Sequence, residues 1–308
     1  MNRREWMGRV AGVAAAVASS GALRAEATGA GSERSDMITR KIPSTGEAIP
    51  VIGLGTSGPF EVGADAAARA PLREVIDAFF EGGGRLIDTS PMYSTAERVL
   101  GELLSPAQQK DCFMATKVWA YGTGAGISQM NDSARLLQHR PLDLIQVHNL
   151  RDLAVQLATL RAWKAEGRVR YIGVTHYTAA THGELARVIE REKPDFVQFN
   201  YSALTRDAES RLLPLAADRG IAVIVNRAFE DGRIFARLKH LPLPAWAADF
   251  DATSWAQVLL KYVIAHPAVT CVIPATGKVK NMRDDLAGGR GRLPDAAALK
   301  RIVAAVSA

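Results

Sequence analysis

Cysteine is nearly absent: Cys112 and Cys271 are the only two in 308 residues, too few for a disulfide framework. Both sit in apolar, strand-like runs and read as buried free thiols, with one disulfide as the alternative. Charge of a single sign is scarce as well. Lys and Arg number 38 against 32 Asp and Glu, a net +6, and residues 1–27 hold four arginines and two glutamates, which leaves +4 on the rest. No basic run is interleaved with aromatics, so nucleic acid is not an expected partner; a phosphate-bearing small molecule accounts for the surplus equally well. The one apolar run near the N-terminus is too short and too rich in alanine for a membrane span, so none is expected in the mature protein. Gly53 and Gly55 mimic the opening of a dinucleotide fingerprint. Those two either let the backbone approach a ligand or neighbour, or belong to a simple turn.

What is present divides the chain in three. Arg3, Arg4 and Arg9 precede or open an Ala/Val-rich run to Leu23, and Ala25-Glu26-Ala27 offers a small-residue cleavage site, the pattern of an export signal over residues 1–27. Arg3-Arg4 followed by Glu5 and Trp6 resembles a twin-arginine signal, with Asn2 and Gly8 in place of the usual hydroxyl residue and lysine; an ordinary signal peptide with a chance Arg pair is the alternative. Residues 28–37 are rich in Gly, Ser and charge and read as a linker. Residues 38–308 are then one large domain, consistent with 48% hydrophobic and 23% charged residues. The expected destination is outside the cytoplasm, in a bacterial periplasm, by way of the export machinery.

Within that domain, Ile38–Ile42 and Ala48–Val51 flank Ser44-Thr45-Gly46-Glu47 as a short hairpin. Strand-like runs then alternate with helix-like ones. The strands fall at 51–56, 85–90, 112–118, 142–148, 169–176, 196–201, 221–227 and 269–276; the helices include 67–81, 96–104, 127–138, 153–166, 181–191, 207–219, 255–265 and a final one at 295–306. Eight such units without a break in composition predict an α/β fold, a closed (β/α)8 TIM barrel. An open doubly wound sheet is the alternative.

Polar residues cluster at the C-terminal ends of these strands, the face that carries the site in such a barrel. Alternation puts Leu86, Asp88 and Ser90 on one face of their strand, and the next two strands end on Lys117 and His148. An acid on the inner face needs a cation nearby, so Asp88 and Lys117 are expected to pair. A cation fixed beside Tyr93 is expected to lower the phenol's pKa toward the working range, so that Tyr93 protonates a carbonyl oxygen as hydride arrives at the carbon. His148 is expected to orient that oxygen. No metal ligand set is assigned.

These residues, in the contexts IDTSPMY, ATKVW and QVH, resemble the active-site tetrad of the aldo-keto reductase family. The resemblance runs from about residue 38 to the C-terminus through GLGT, GRVRYIGVTHY, FVQFNYS, SWAQVLLKYV and VIPAT. It implies a (β/α)8 barrel whose opening hairpin closes the bottom, a nicotinamide cofactor bound extended at the strand ends, and the roles above for Asp88, Tyr93, Lys117 and His148. The cofactor implied is NADPH by preference, with NADH not excluded. The family's carboxamide-holding positions fall on Thr175, His176 and Gln198, the second being commonly Asn. Where many members stack a Tyr on the nicotinamide, this chain has Asn226, followed by Arg227, a candidate for the pyrophosphate. Thr276, Lys278, Lys280 and Arg283 suit an adenosine 2′-phosphate by charge, although Asn281 replaces a frequent Arg and Asp284-Asp285 the usual acid-Asn pair. Phe60, Met92, Trp119, Tyr121 and Trp246 either line an apolar pocket or pack as core and loop.

The resulting expectation is an oxidoreductase that reduces a small-molecule carbonyl. Two other classes compete with it: a nicotinamide-binding redox sensor or regulatory subunit with little turnover, and a barrel aldolase using Lys117 as a Schiff base.

Overall fold

The computed structural model describes residues 36–307. The export signal expected over 1–27, and all but the last two residues of the linker at 28–37, lie outside the described residues. Strands β1 (Thr39–Lys41) and β2 (Ala48–Pro50) form the antiparallel hairpin, Arg40 facing Ile49. Eight parallel strands follow: β3 (Leu54–Gly55), β4 (Leu86–Asp88), β5 (Phe113–Val118), β6 (Leu142–His148), β7 (Val169–Thr175), β8 (Phe196–Asn200), β9 (Ala222–Asn226) and β10 (Val269–Val272). Each pairs with the next in chain order. Bridges from Ile52 to Val272 and from Gly55 to Ala275 join the first strand to the last. The expected TIM barrel is the fold observed.

The two glycines of the first strand are explained by that closure. A Cβ on Gly53 would lie 2.8 Å from the Leu86 carbonyl oxygen and 3.0 Å from Cys271 Sγ, and one on Gly55 would lie 2.8 Å from the Ile273 carbonyl oxygen. With glycine there, the Gly53 N–H reaches the Val272 carbonyl at 2.8 Å and the Gly55 N–H the Pro274 carbonyl at 2.9 Å. They serve the approach of neighbouring backbone. Both cysteines are buried free thiols.

Alternation along the strands sorts side chains into two populations. Outward residues such as Ile87, Met114, Ile145, Val174, Val197 and Val223 pack against the helices. Inward residues Leu86, Phe113, Leu144, Tyr171, Phe196 and Ile224 form a separate apolar cluster with Ile42 and Ile49 of the hairpin. The hairpin therefore plugs one end of the barrel, and Glu47 accepts a hydrogen bond from the Tyr171 hydroxyl at 2.6 Å. One inward step further along, the lining becomes polar, with Asp88, Lys117, Gln146, His148, Thr175 and Gln198 all buried. Burying so much polarity is stable only where each group finds a partner.

The outer helices follow from their own sequences. Asp65 caps the helix Ala66–Glu81 by accepting from the Ala67 and Ala68 N–H groups, and Leu72, Val75, Ile76 and Phe79 form its buried stripe. The helix expected at 207–219 is instead a turn of 3-10 helix, Asp207–Ser210, followed by Leu212–Asp218. Pro214, which lacks an N–H and crowds the carbonyl four residues earlier, forbids a continuous helix there. Three further helices were not anticipated: Pro106–Asp111, Arg233–Leu238 and Val279–Gly288. The first two have six residues each, too few to show a helical period, and the last is dominated by polar residues. Among the described residues no helix is long and apolar enough to cross a membrane.

Candidate active site

At the open end of the barrel, the register of consecutive strands sets the site's spacing. Asp88 pairs with Ala115, Lys117 with Gln146, His148 with Thr175, and Thr175 with Gln198. The polar side chains therefore form an arc around the inner wall rather than lying scattered on loops.

Lys117 is its buried centre. Its ammonium donates to Asp88 Oδ2 at 2.6 Å and to the Thr89 carbonyl at 2.7 Å. The other Asp88 oxygen accepts from Gln198 Nε2 at 2.9 Å and Gln146 Nε2 at 3.2 Å. Burial would push the ammonium toward neutrality, but Asp88 and then Tyr93 outweigh it and hold the Lys117 pKa above its ordinary value. A lysine kept charged in this way is a poor Schiff-base nucleophile, which weighs against the aldolase reading.

Tyr93 lies in the turn after β4, its N–H bonded to the Ser90 carbonyl at 3.0 Å. Lys117 Nζ stands 4.9 Å from the centroid of its ring. The phenol's pKa, however, is raised and not lowered as the sequence reading expects. Burial is the largest influence on it; Lys117 pulls the other way, and Asp88 cancels part of that pull. The phenol is consequently protonated at neutral pH.

His148 meets the Tyr93 ring edge-on, with centroids 6.0 Å apart and an angle of 88°. Its Nδ1 lies 3.1 Å from Ser90 Oγ. Burial, then the charge of Lys117, then His176 lower its pKa to about 3, so the imidazole is neutral.

Asp88, Tyr93 and His148 line a cavity of about 1030 Å³ that runs on past Thr175, Gln198, Asn226, Arg227 and Thr276. Lys117 sits beneath it, fully buried. Of the other residues expected to hold a cofactor, His176 turns away. Its Nδ1 accepts from the Tyr177 N–H at 3.0 Å, and its ring stacks on Tyr177 at 5.3 Å. Gln198 faces the cavity, but both ends of its amide are engaged: Nε2 on Asp88, and Oε1 accepting from Thr175 Oγ1 at 2.8 Å. Asn226 Oδ1 is buried without a hydrogen-bond partner among the described residues, the state of a polar atom that waits for a ligand. Arg227, in a left-handed backbone conformation (φ 55°), pairs with Asp231 at 3.1 Å and lies 4.6 Å from the Tyr177 ring. Lys278, Lys280 and Arg283 are exposed and outside the lining.

Sequence reasoning missed several lining residues, namely Asn149, Tyr177, Ser254 and Trp255, while Asp284 and Asp285, noted at the place of the acid-Asn pair, both line the cavity. Asp284 accepts from Ser254 Oγ and Gln257 Nε2, each at 2.7 Å. Asp285 makes no side-chain hydrogen bond among the described residues, and burial, with Asp284 adding, lifts its pKa to about 8. Gln146 was legible by parity, being two residues before His148 in the same strand. None of Phe60, Met92, Trp119, Tyr121 and Trp246 lines the cavity. Phe60 is core, Trp119 stacks under Arg151 at 3.3 Å, and Trp246 packs on Phe250 and Trp255.

With this geometry in place, comparison with known proteins gives four matches. The sequence pattern of the Aldo/keto reductase family matches residues 51–302. The methylglyoxal reductase YeaE of Escherichia coli K12 is 29% identical over 246 residues, covering 78% of this chain and 85% of that protein. An NADH-specific methylglyoxal reductase of the same organism is 27% identical over 243 residues, covering 68% and 73%. Among solved structures, an aldo-keto reductase of Klebsiella pneumoniae in complex with NADPH superposes with a TM-score of 0.70 at 25% identity, covering 86% of this chain and 94% of that one.

Proposed function

Because the chain belongs to the aldo/keto reductase family, we propose that it reduces a small reactive aldehyde or ketone to the alcohol, with Tyr93 giving the proton and NADPH the hydride. The observation that carries this reading is the buried Lys117–Asp88 pair set under a protonated phenol at the mouth of a ligand-sized cavity. The reaction is an NAD(P)H-dependent carbonyl reduction. The nicotinamide nucleotide supplies a hydride equivalent, and every other requirement falls to the protein.

As the carbon accepts hydride, negative charge builds on the carbonyl oxygen, and a donor that strengthens its bond to that oxygen lowers the barrier. Tyr93 holds its proton until then, because its raised pKa keeps it from ionising early. When the O–H bond breaks, the proton moves to the substrate oxygen and a phenolate remains. Lys117 stabilises that phenolate, and Asp88 with its two glutamine donors keeps Lys117 in place. Neutral His148 hydrogen-bonds the same oxygen, and solvent later reprotonates Tyr93.

Thr175, Gln198, Asn226, Arg227 and Thr276 are the residues that hold the nucleotide, and the unpartnered Asn226 Oδ1 is the atom best placed to accept from a carboxamide N–H. NADPH is the preferred form and NADH is usable. The cations Lys278, Lys280 and Arg283 favour a 2′-phosphate, while Asp284 and Asp285 at the same end keep the preference from becoming absolute. The methylglyoxal reductases among the relatives point to small reactive aldehydes. Purified protein mixed with NADPH and a panel of such aldehydes is expected to oxidise many equivalents of nucleotide in a carbonyl-dependent way. Tight nucleotide retention with no turnover would instead favour the sensor reading.

The protein acts after export, in a bacterial periplasm. Arg3-Arg4 ahead of an apolar run supports a twin-arginine route, which suits a barrel that takes up its cofactor before leaving the cytoplasm. Arg3→Lys/Arg4→Lys should retain the full chain in the cytoplasm on cell fractionation; undiminished export would remove that route.

A further inference from the structure

Which ring nitrogen of His148 carries the hydrogen decides whether this residue can donate to a carbonyl oxygen at all, since a neutral imidazole has one N–H and one lone pair. Nδ1 already has a partner, Ser90 Oγ at 3.1 Å. The same Ser90 Oγ accepts the Met92 N–H at 3.1 Å. These are the only hydrogen bonds of the Ser90 side chain among the described residues, and the residue is fully buried.

A hydroxyl has a single proton to give. If His148 carried its hydrogen on Nδ1, Ser90 Oγ would accept two N–H groups while its own proton pointed at nothing in a buried site, at the cost of an unmade hydrogen bond. If the hydrogen is on Nε2, every group is satisfied: Met92 N–H donates to Ser90 Oγ, Ser90 O–H donates to Nδ1, and Nε2–H is left over. Nε2 makes no hydrogen bond among the described residues, and His148 lines the cavity beside Tyr93. We infer that Ser90 is a positioning residue for carbonyl reduction, fixing His148 as the Nε2–H tautomer and thereby making it a second donor to the substrate oxygen. The turn that carries Tyr93 also carries this device, since Ser90 both receives Met92 N–H and offers its carbonyl to Tyr93 N–H at 3.0 Å. Placement of the proton donor and choice of the histidine tautomer are thus set by one short segment.

The inference rests on the reductase reading, and its test separates the two. Nitrogen NMR of protein with labelled histidine reads the tautomer without any turnover: wild type should show His148 protonated at Nε2, and Ser90→Ala a mixture of both forms. Ser90→Ala should lower kcat by about 10-fold to 100-fold, up to the low end of the range for losing one preorganised donor, with the dissociation constant of NADPH unchanged. Ser90→Thr, which keeps the hydroxyl, should restore both signals. On a His148→Gln background, Ser90→Ala should cost nothing further. An unchanged tautomer in Ser90→Ala, or an equal loss of kcat with and without His148, would overturn the assignment. An Nε2–H signature in a protein that turns over no carbonyl would support the assignment and sink the reductase reading.

Discussion

Tyr93→Phe is expected to lower kcat for carbonyl reduction by about 10²–10⁴-fold, the span of general-acid contributions, while NADPH binds as before. The substitution removes the hydroxyl that gives the proton and keeps the ring that faces Lys117 at 4.9 Å and His148 at 6.0 Å. Any loss therefore reports proton transfer more than packing. The dependence on pH follows from the same groups. The donor works only while protonated, and burial holds the Tyr93 pKa above its ordinary value, so wild-type kcat should stay level through neutrality and fall on the alkaline side as the phenol ionises. His148, with a pKa of about 3, adds no limb between pH 5 and 8. In Tyr93→Phe the alkaline fall should vanish along with most of the rate. A bell centred near neutrality would instead identify a histidine as the acid.

Lys117→Met is expected to damage both stability and rate. Asp88 loses its 2.6 Å ionic partner and keeps two amide donors in a site where it is 2% exposed. Breaking a buried pair from one side typically costs about 3–5 kcal/mol, because the remaining charge is stranded. In a domain of this size each kcal/mol corresponds to roughly 2–4 °C of Tm. The rate should fall at least as far as in Tyr93→Phe, since the phenolate left after proton transfer has lost the cation that stabilises it. The double substitution Asp88→Leu/Lys117→Met gives the diagnostic comparison. With no stranded charge it should melt above Lys117→Met while remaining equally inactive. Thermal denaturation of the three proteins, with single-turnover rates beside it, checks both halves. A double variant that melts below Lys117→Met would mean that Asp88 is not stranded without its lysine, its two amide donors sufficing to hold it.

The parts of the site written into strand parity were legible in the sequence. Asp88, Lys117 and His148 each follow apolar residues of the same inward face, so alternation and the closing of a barrel bring them together without any knowledge of loops. Tyr93 came with Asp88 because a short turn separates them. Quantities that depend on three-dimensional surroundings were not legible. The sequence reading weighed the charge of Lys117 on Tyr93 without the burial that overrides it, and so had the direction of the pKa wrong. Nor did it give Gln198 its hold on Asp88 and Thr175, which depends on neighbours across the barrel. That Asp284 and Asp285 face the cavity while Lys278, Lys280 and Arg283 stay exposed was not legible either, because which face of a short polar helix points inward is decided by packing that no period announces.

The most direct test of the whole account is to follow a label. NADPH carrying deuterium at the transferable C4 position, incubated with the protein and a small reactive aldehyde, is predicted to yield an alcohol with deuterium bound to the former carbonyl carbon, at a rate about 10²–10⁴-fold lower in Tyr93→Phe. Product without carbon-bound deuterium, or equal transfer by the Phe variant, would contradict it.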